Sequence, residues 1–496
     1  MPERIFTKSM KRLTFLVLSF IYINLNLFAN GVQIQRLKVE DRTNISFEVS
    51  WQNSWNNEQT NNHDAIWIFI KVKENGTWKH ATISEASSVG LLTAICNHSV
   101  TDKGLIIRRK DFGSGNIQPT TVNIQLKNEI SFTTTAIQVH GIEMVFVPQG
   151  GFFVGDGASN FSLEADSLSK PYHIQSENAL LGLKSKTKFF PAEVIPTSFP
   201  KGFAPFYMMK YEISQEQYTT FLNTLGYVQQ KNRTQKPPES APGTYAMSFD
   251  GTYQNRNGIV IIRSGNETTP AVYVMNANAD NPFNSPDDGA NRACNFLSWA
   301  DILAYLDWSG LRPMTELEFE KACRGADNQS KILEFAWATP YVRDANTLLN
   351  DATTDETVTE SSDDTTGIAS HGYEGPWGPL RCGFSAKSVS NRLQSGAGFY
   401  GAMELSGNLW ELCIAVLPEG VRFDGEHGDG TLDLSGSADI PSWLLDGIGA
   451  GYRGGAWLSG ILPQFRDLAV SDRFYAGQNP NIRRNTSGGR GVISWR

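Results

Sequence analysis

Cysteine and histidine are both scarce, five and seven in 496 residues, and neither is grouped. Cys96, Cys294, Cys323, Cys382 and Cys413 form no C-x-x-C and no zinc spacing. Their odd number leaves at least one thiol free, and mostly buried thiols acting as small apolar side chains are the expectation. His63, His80, His98, His140, His173, His371 and His427 stand singly, as surface or satisfied core histidines usually do. Ser-His-Asp arrangements, phosphate loops and dinucleotide fingerprints are missing. Positive charge is short as well. The 43 Lys and Arg against 51 Asp and Glu give a net charge of −8, with no basic stripe to meet phosphates. That argues against a nucleic-acid partner. Internal repeats are also missing.

Long apolar runs are confined to the start. Met10-Lys11-Arg12 is followed by "LTFLVLSFIYINLNLFA", a charged head, an apolar stretch and a small residue at Ala29. Residues 1–29 therefore read as a secretory signal, for which Met10 is itself a workable start. The alternative is a membrane anchor, but Asn24 and Asn26 interrupt a run already short for spanning. No cysteine near the cleavage point offers a lipid attachment, and no later stretch is apolar enough to cross a bilayer. The expectation is an exported protein, periplasmic, surface-bound or secreted, with no membrane span once the signal is removed.

What is plentiful is glycine, at 45, with 12 tryptophans, pointing to a fold rich in tight turns. Length suggests two or three domains. Residues 30–139 read as all-β. In "ISFEVSW" the residues Ile45, Phe47, Val49 and Trp51 alternate with polar ones, while "AIWIFIKV" is apolar on both faces, as for a central strand. Asn75-Gly76 then supplies tight-hairpin chemistry. The reading is a small β-sandwich, with an immunoglobulin-like topology as one option. A second domain is placed at residues 140–496. Three amphipathic helices are expected there. One starts at Ser214 with Gln217 and carries Tyr218, Phe221, Leu222 and Leu225. One starts at Ser298 and carries Trp299, Ile302, Leu303 and Leu306. The third runs from Thr315 with Glu318 to Gly325. "NDATTDETVTESSDDTTG" reads as a solvated acidic insertion.

Six phrases then occur in order: "VPQGGFFVGD", "YEISQEQYTTFLN", "GLRPMTELEFEKACRG", "ELSGNLWELC", "YRGGAW" and "GGRGVISWR". Together they resemble the formylglycine-generating enzyme, or sulfatase-modifying factor, domain over roughly residues 140–496. The resemblance implies an α+β fold, a variant of the C-type lectin fold held largely by turns. It also implies a structural calcium site from the side chain of Glu404, the carbonyls of Gly407 and Leu409, and the carboxylate of Glu411. The residue types agree, since hard cations want several oxygens. The family commonly has Asn or Asp where this chain has Glu404. A second calcium site would use Asn346 and the carbonyl of Thr347.

Active members of that family oxidise a substrate cysteine with oxygen and one copper ion held by two thiolates, which suit soft Cu(I). Those thiolates follow the Gly-Gly-aromatic phrase and here fall on Ser459 and Gln464, neither a soft ligand. Relatives that bind iron do so through H-x3-H-x-E, and no two histidines here make that motif. Copper is therefore not expected, and no catalytic residue is assigned. What remains is a face bordering a peptide or glycan groove, with Trp457, Ser459, Gln464 and Arg466 as candidates. Arg466, Asp467, Asp472 and Arg473 read either as surface ion pairs or as groove charges. The preferred reading is a non-catalytic binding or structural component of a cell envelope, with a protein or peptide partner. Cysteine-less versions of the domain serve bacteria of a Bacteroidota-like type in this way. The alternatives are a formylglycine-generating oxidase with a non-standard site and a calcium-dependent carbohydrate-binding protein, though the lectin triplets Glu-Pro-Asn and Gln-Pro-Asp do not occur.

Overall fold

The computed structural model describes residues 31–130, 136–165, 169–186, 189–326, 330–387, 390–460 and 467–495. The expected signal, and the groove candidates Gln464 and Arg466, lie outside the described residues.

Nine strands open the chain: β1 (Gln33–Val39), β2 (Asn44–Asn57), β3 (Asn62–Glu74), β4 (Thr77–His80), β5 (Ile83–Ser88), β6 (Leu92–Ile95), β7 (Leu105–Arg109), β8 (Gly113–Leu126) and β9 (Ala136–Val147). β2 pairs with β1 and β8, and β8 with β5. β3 pairs with β4, β7 and β9. The β3–β4 turn places Asn75 at φ 50° and Gly76 at φ 85°, the two left-handed residues a tight hairpin needs. Ile45, Phe47, Val49 and Trp51 of β2 pack inward against Ile66, Ile68, Ile70 and Val72 of β3.

The other face of β3 explains why its sequence does not alternate. Ala65, Trp67 and Phe69 belong to a different core, shared with the C-terminal part of the chain. Successive strand residues point to opposite faces, so a strand serving two cores must be apolar throughout. β9 pairs with β3 from Asp64↔Val145 to Lys73↔Ala136 and, on its other edge, with the strand Phe206–Met209. That strand pairs with Gly491–Ser494, which pairs in turn with Arg312–Pro313. One sheet thus runs from the N-terminal strands into the C-terminal body. The expected domain boundary at 139/140 falls inside β9. Trp67 Nε1 donates to the Ser309 carbonyl (2.9 Å), and the buried Lys71 Nζ to the Gly430 carbonyl (2.7 Å), across this joint.

Four α-helices are present among the described residues: α1 (Gln215–Leu222), α2 (Tyr227–Arg233), α3 (Trp299–Ser309) and α4 (Glu316–Arg324). Ser214, Ser298 and Thr315 each cap a helix with a reciprocal third-position side chain, as the spacing predicts at Ser214 and Thr315. α2 was not signalled by any apolar period; its sequence YVQQKNR is polar. α4 departs from the amphipathic expectation, because every one of its residues is buried. Its charges survive there by pairing. Glu316 meets Arg453 (2.7 Å) and Arg473 (3.0 Å), Glu318 meets Arg312 (2.6 Å), and Glu320 meets Arg453 (2.7 Å). Arg473, read as a surface or groove charge, is therefore a core residue. The acidic insertion is mostly exposed, but Glu356 turns inward to Arg256 (2.7 Å) and Arg292 (2.8 Å). The whole is a mixed, sheet-rich fold.

Candidate functional site

The ion pairs on α4 fix Arg453, and with it the start of "YRGGAW". Arg453 ends the strand Ala450–Arg453, which pairs antiparallel with Trp410–Ile414 so that Tyr452 lies opposite Leu412. Trp410 and Tyr452 meet edge to face at 5.9 Å, and Trp410 and Tyr475 at 5.3 Å. The next two residues, Gly454 and Gly455, have φ of 82° and 73°. A Cβ on Gly454 would lie 2.6 Å from the Leu405 carbonyl oxygen, and one on Gly455 2.7 Å from Leu468 Cδ1. Only glycine makes this turn.

The turn delivers Leu458, Ser459 and Gly460 to the wall of a cleft of about 830 Å3. Trp410, Tyr452 and Tyr475 form one side of it, Asp344, His371 and Tyr373 another, and Asp467 and Arg484 also line it. Ser459 Oγ accepts from the Ala456 amide (3.0 Å), and its carbonyl accepts from the Gly372 amide (3.0 Å). Burial holds the Asp467 carboxyl above its ordinary range, opposed by its hydrogen bond with Ser459. Burial likewise raises the Tyr452 phenol, with Arg484 beside it opposing the shift. His371 contacts Asp344 through Nε2. The pairing has a local cause: Val342–Asp344 runs parallel to Gly367–Ala369 with Asp344 opposite Ala369, and His371 follows two residues on.

Of the groove candidates, Ser459 lines the cleft. Trp457 does not. It is 3% exposed and packs with Ala293, Cys382 and Leu409 beneath the site, its Nε1 donating to the Asn485 carbonyl (2.9 Å). Asp472 is buried and pushed up to about 7, chiefly by that burial. Sequence reasoning missed His371, Asp344, Tyr475 and Arg484. None sits in a motif, and only the parallel strand pair and the Gly-Gly turn bring them together. The described cysteines lie elsewhere. Cys96 is half-buried in the N-terminal strands, and Cys294, Cys323, Cys382 and Cys413 are buried as free thiols. Burial pushes the Cys382 and Cys413 thiols well up, away from thiolate.

The residues expected to hold calcium form a separate buried cluster. Glu404 has φ 53°; its Oε1 accepts from the Gly383 amide (2.8 Å), and its Oε2 has no hydrogen-bond partner. A cavity of about 10 Å3 lies against it, lined also by Ser370, Ser406 and Asn408. Burial pushes Glu404 up to about 7 despite Arg490. Glu411 accepts from Arg490 Nε (2.6 Å) and leaves Oε2 without a partner. Glu212 accepts from the Leu409 amide (2.9 Å) and from Asn408 Nδ2 (2.5 Å). Three buried carboxylates thus share the Arg490 guanidinium, and burial raises all three. Asn346 and Thr347 lie apart, on a second cleft; the Thr347 amide donates to Glu360, and Asn346 Oδ1 is a buried acceptor with no partner. Asp307, Asp429 and Asp439 bring carboxylate oxygens within 4.8 Å of one another at the joint under Lys71.

The sulfatase-modifying factor enzyme 1-like domain model matches residues 132–494. The chain is similar to the formylglycine-generating enzyme of Thermomonospora curvata, 29% identical over 132 residues, 26% of this chain and 40% of that protein. It is also 29% identical to the formylglycine-generating enzyme of Mus musculus over 124 residues, 24% of this chain and 31% of that protein. The chain thus spans less than half the length of these curated relatives.

Proposed function

The chain belongs to the sulfatase-modifying factor family, and from that premise we propose that it is a non-catalytic, exported member whose main cleft binds a peptide segment of a cell-envelope partner. The carrying observation is Ser459. It occupies the position that the resemblance gives to a copper thiolate, and its hydroxyl is already committed to the Ala456 amide and to Asp467. A hydroxyl does not replace a soft sulfur ligand for Cu(I), and the buried thiols Cys382 and Cys413 belong to the cores beneath. The described residues do not fit copper, and no step is routed through it. What the cleft retains is shape and chemistry for binding. It has a wall of three aromatic rings, a His371–Asp344 pair and a half-buried carboxylate within a volume suited to a ligand. Export rests on the signal-like residues 1–29.

Calcium belongs to the same reading, as a structural ion. The residues that would hold it are Glu404, the Gly407 and Leu409 carbonyls and Glu411. The free oxygens of Glu404 and Glu411 and the surplus of acid around Arg490 favour a hard cation there. Asn346 and Thr347 would hold a second.

The test is direct. The purified protein is incubated aerobically with copper and a cysteine-containing peptide, and the peptide is weighed. No conversion to formylglycine is expected; conversion overturns the reading in favour of an oxidase with a non-standard site. Recovery of a specific envelope protein whose binding falls tenfold or more in Tyr475→Ala supports it.

A further inference from the structure

Buried glutamates in this chain mostly pair with arginine: Arg312, Arg324, Arg453, Arg473 and Arg490 each hold one. Glu143 differs. Its partner is Lys210, whose Nζ donates to Oε2 at 3.0 Å, with the two side chains 5% and 6% exposed. Among the described residues no other lysine–carboxylate pair has both side chains buried. The strands dictate this meeting. Glu143 lies in β9 opposite Ile66 of β3. On the other edge of β9, Met144 lies opposite Met209 of the strand Phe206–Met209. The Lys210 amide then donates to the Glu143 carbonyl (2.9 Å), extending that ladder by one pair. Residues directly opposite share a face, so both side chains enter one pocket. Apart from Glu143, Nζ faces rings, Trp55 at 5.2 Å and Tyr211 at 5.0 Å. Asp64 is the other acid acting on the pair. Its oxygens are taken by Trp51 Nε1 (2.7 Å), Ser54 Oγ (2.9 Å) and the Trp55 amide (2.9 Å).

Lysine and arginine differ in what such a pair can do. A guanidinium keeps its proton, whereas a buried ammonium can give one up. Burial pushes Glu143 up to about 7 against the pull of Lys210, and Asp64 adds to the rise. Glu143 in turn holds the lysine charged against its own burial. The two groups thus share a proton. Passing it from Nζ to the carboxylate gives an amine and a carboxylic acid, the neutral forms that desolvation favours. We propose that Lys210 and Glu143 condense into an intramolecular amide, a covalent clamp across the sheet that joins the N-terminal strands to the C-terminal body. Nζ attacks the Glu143 carboxyl carbon. The N–C bond forms, the C–OH bond breaks, and one N–H proton leaves with that hydroxyl as water. No oxidant, reductant or activating co-reactant is needed. Groups held in contact react as if at concentrations of up to about 10⁵–10⁸ M, and burial shields the product from hydrolysis. The clamp restricts the unfolded chain as a disulfide does, in a protein whose described cysteines are all free thiols. It stands independently of what the main cleft binds.

The folded, full-length protein is purified, denatured, digested with trypsin and read by tandem mass spectrometry. The expected product is a branched peptide that joins the segment containing Glu143 to the segment containing Lys210. It should be one water lighter than the two segments together and uncut after Lys210, whose side chain is acylated. Lys210→Arg keeps the ion pair and removes the reactive amine, so the branched peptide should be lost and the denatured chain should migrate more slowly on a gel. The unaltered chain is decisive even where that variant folds poorly. Recovery of Glu143 and Lys210 only in separate linear peptides, with cleavage after Lys210, would overturn the proposal. So would a branched peptide that persists in Lys210→Arg.

Discussion

Glu404 is the residue whose titration is most exposed to test. Its carboxyl is pushed up to about 7 from an ordinary value of 4.5, chiefly by burial. The folded state therefore holds this proton more tightly than the unfolded state. The contribution is fully present below about 4.5 and is lost as pH rises through about 7. A calcium ion would take the place of the proton, so its stabilising effect should grow as pH rises from about 5.5 to 8. Melting curves with calcium and with chelator across that range check this, and Glu404→Gln should abolish the rise of the calcium response with pH. A melting point indifferent to calcium at pH 8 contradicts the site. The sequence disclosed Glu404, Gly407, Leu409 and Glu411 because they sit in one phrase. It could not disclose that Glu411 is already paired with Arg490, 79 residues away in the chain. His371 and Asp344 were invisible for the same reason: a lone histidine becomes a site residue only when a parallel strand pair sets an acid beside it.

At the scale of elements, α4 and β3 carry the fold and position the cleft. α4 holds Arg453 and Arg473 through Glu316, all three fully buried. Removing one partner leaves an uncompensated buried charge, so Glu316→Gln should destabilise by about 3–5 kcal/mol, read from chemical denaturation. A loss below about 1 kcal/mol would place the pair among weak surface bridges instead. β3 serves two cores at once. Ile68→Ala on one face and Trp67→Ala on the other should cost about 2–5 kcal/mol each. Both should move a single transition seen alike by tryptophan fluorescence and far-UV circular dichroism. Separate melting of the N-terminal strands would contradict a shared sheet. The helix starts at Ser214, Ser298 and Thr315 were legible because capping is local chemistry. The apolar run of β3 was legible as a central strand. What it was central to was not, since much of the second core is built from residues more than a hundred positions later.

The whole molecule joins a strand-rich N-terminal part and a turn-rich C-terminal body through one continuous sheet, and Trp410 and Tyr452 of the cleft wall lie in a separate three-stranded sheet of that body. The cleft floor keeps the Gly-Gly turn and carries a hydroxyl where a soft ligand would sit. The account depends on that substitution, and an anaerobic Cu(I) titration against a competing chelator probes it most directly. No copper should be retained beyond the chelator's share, and Ser459→Ala should change nothing. Stoichiometric capture of Cu(I) with sub-nanomolar affinity by the unaltered chain would contradict it.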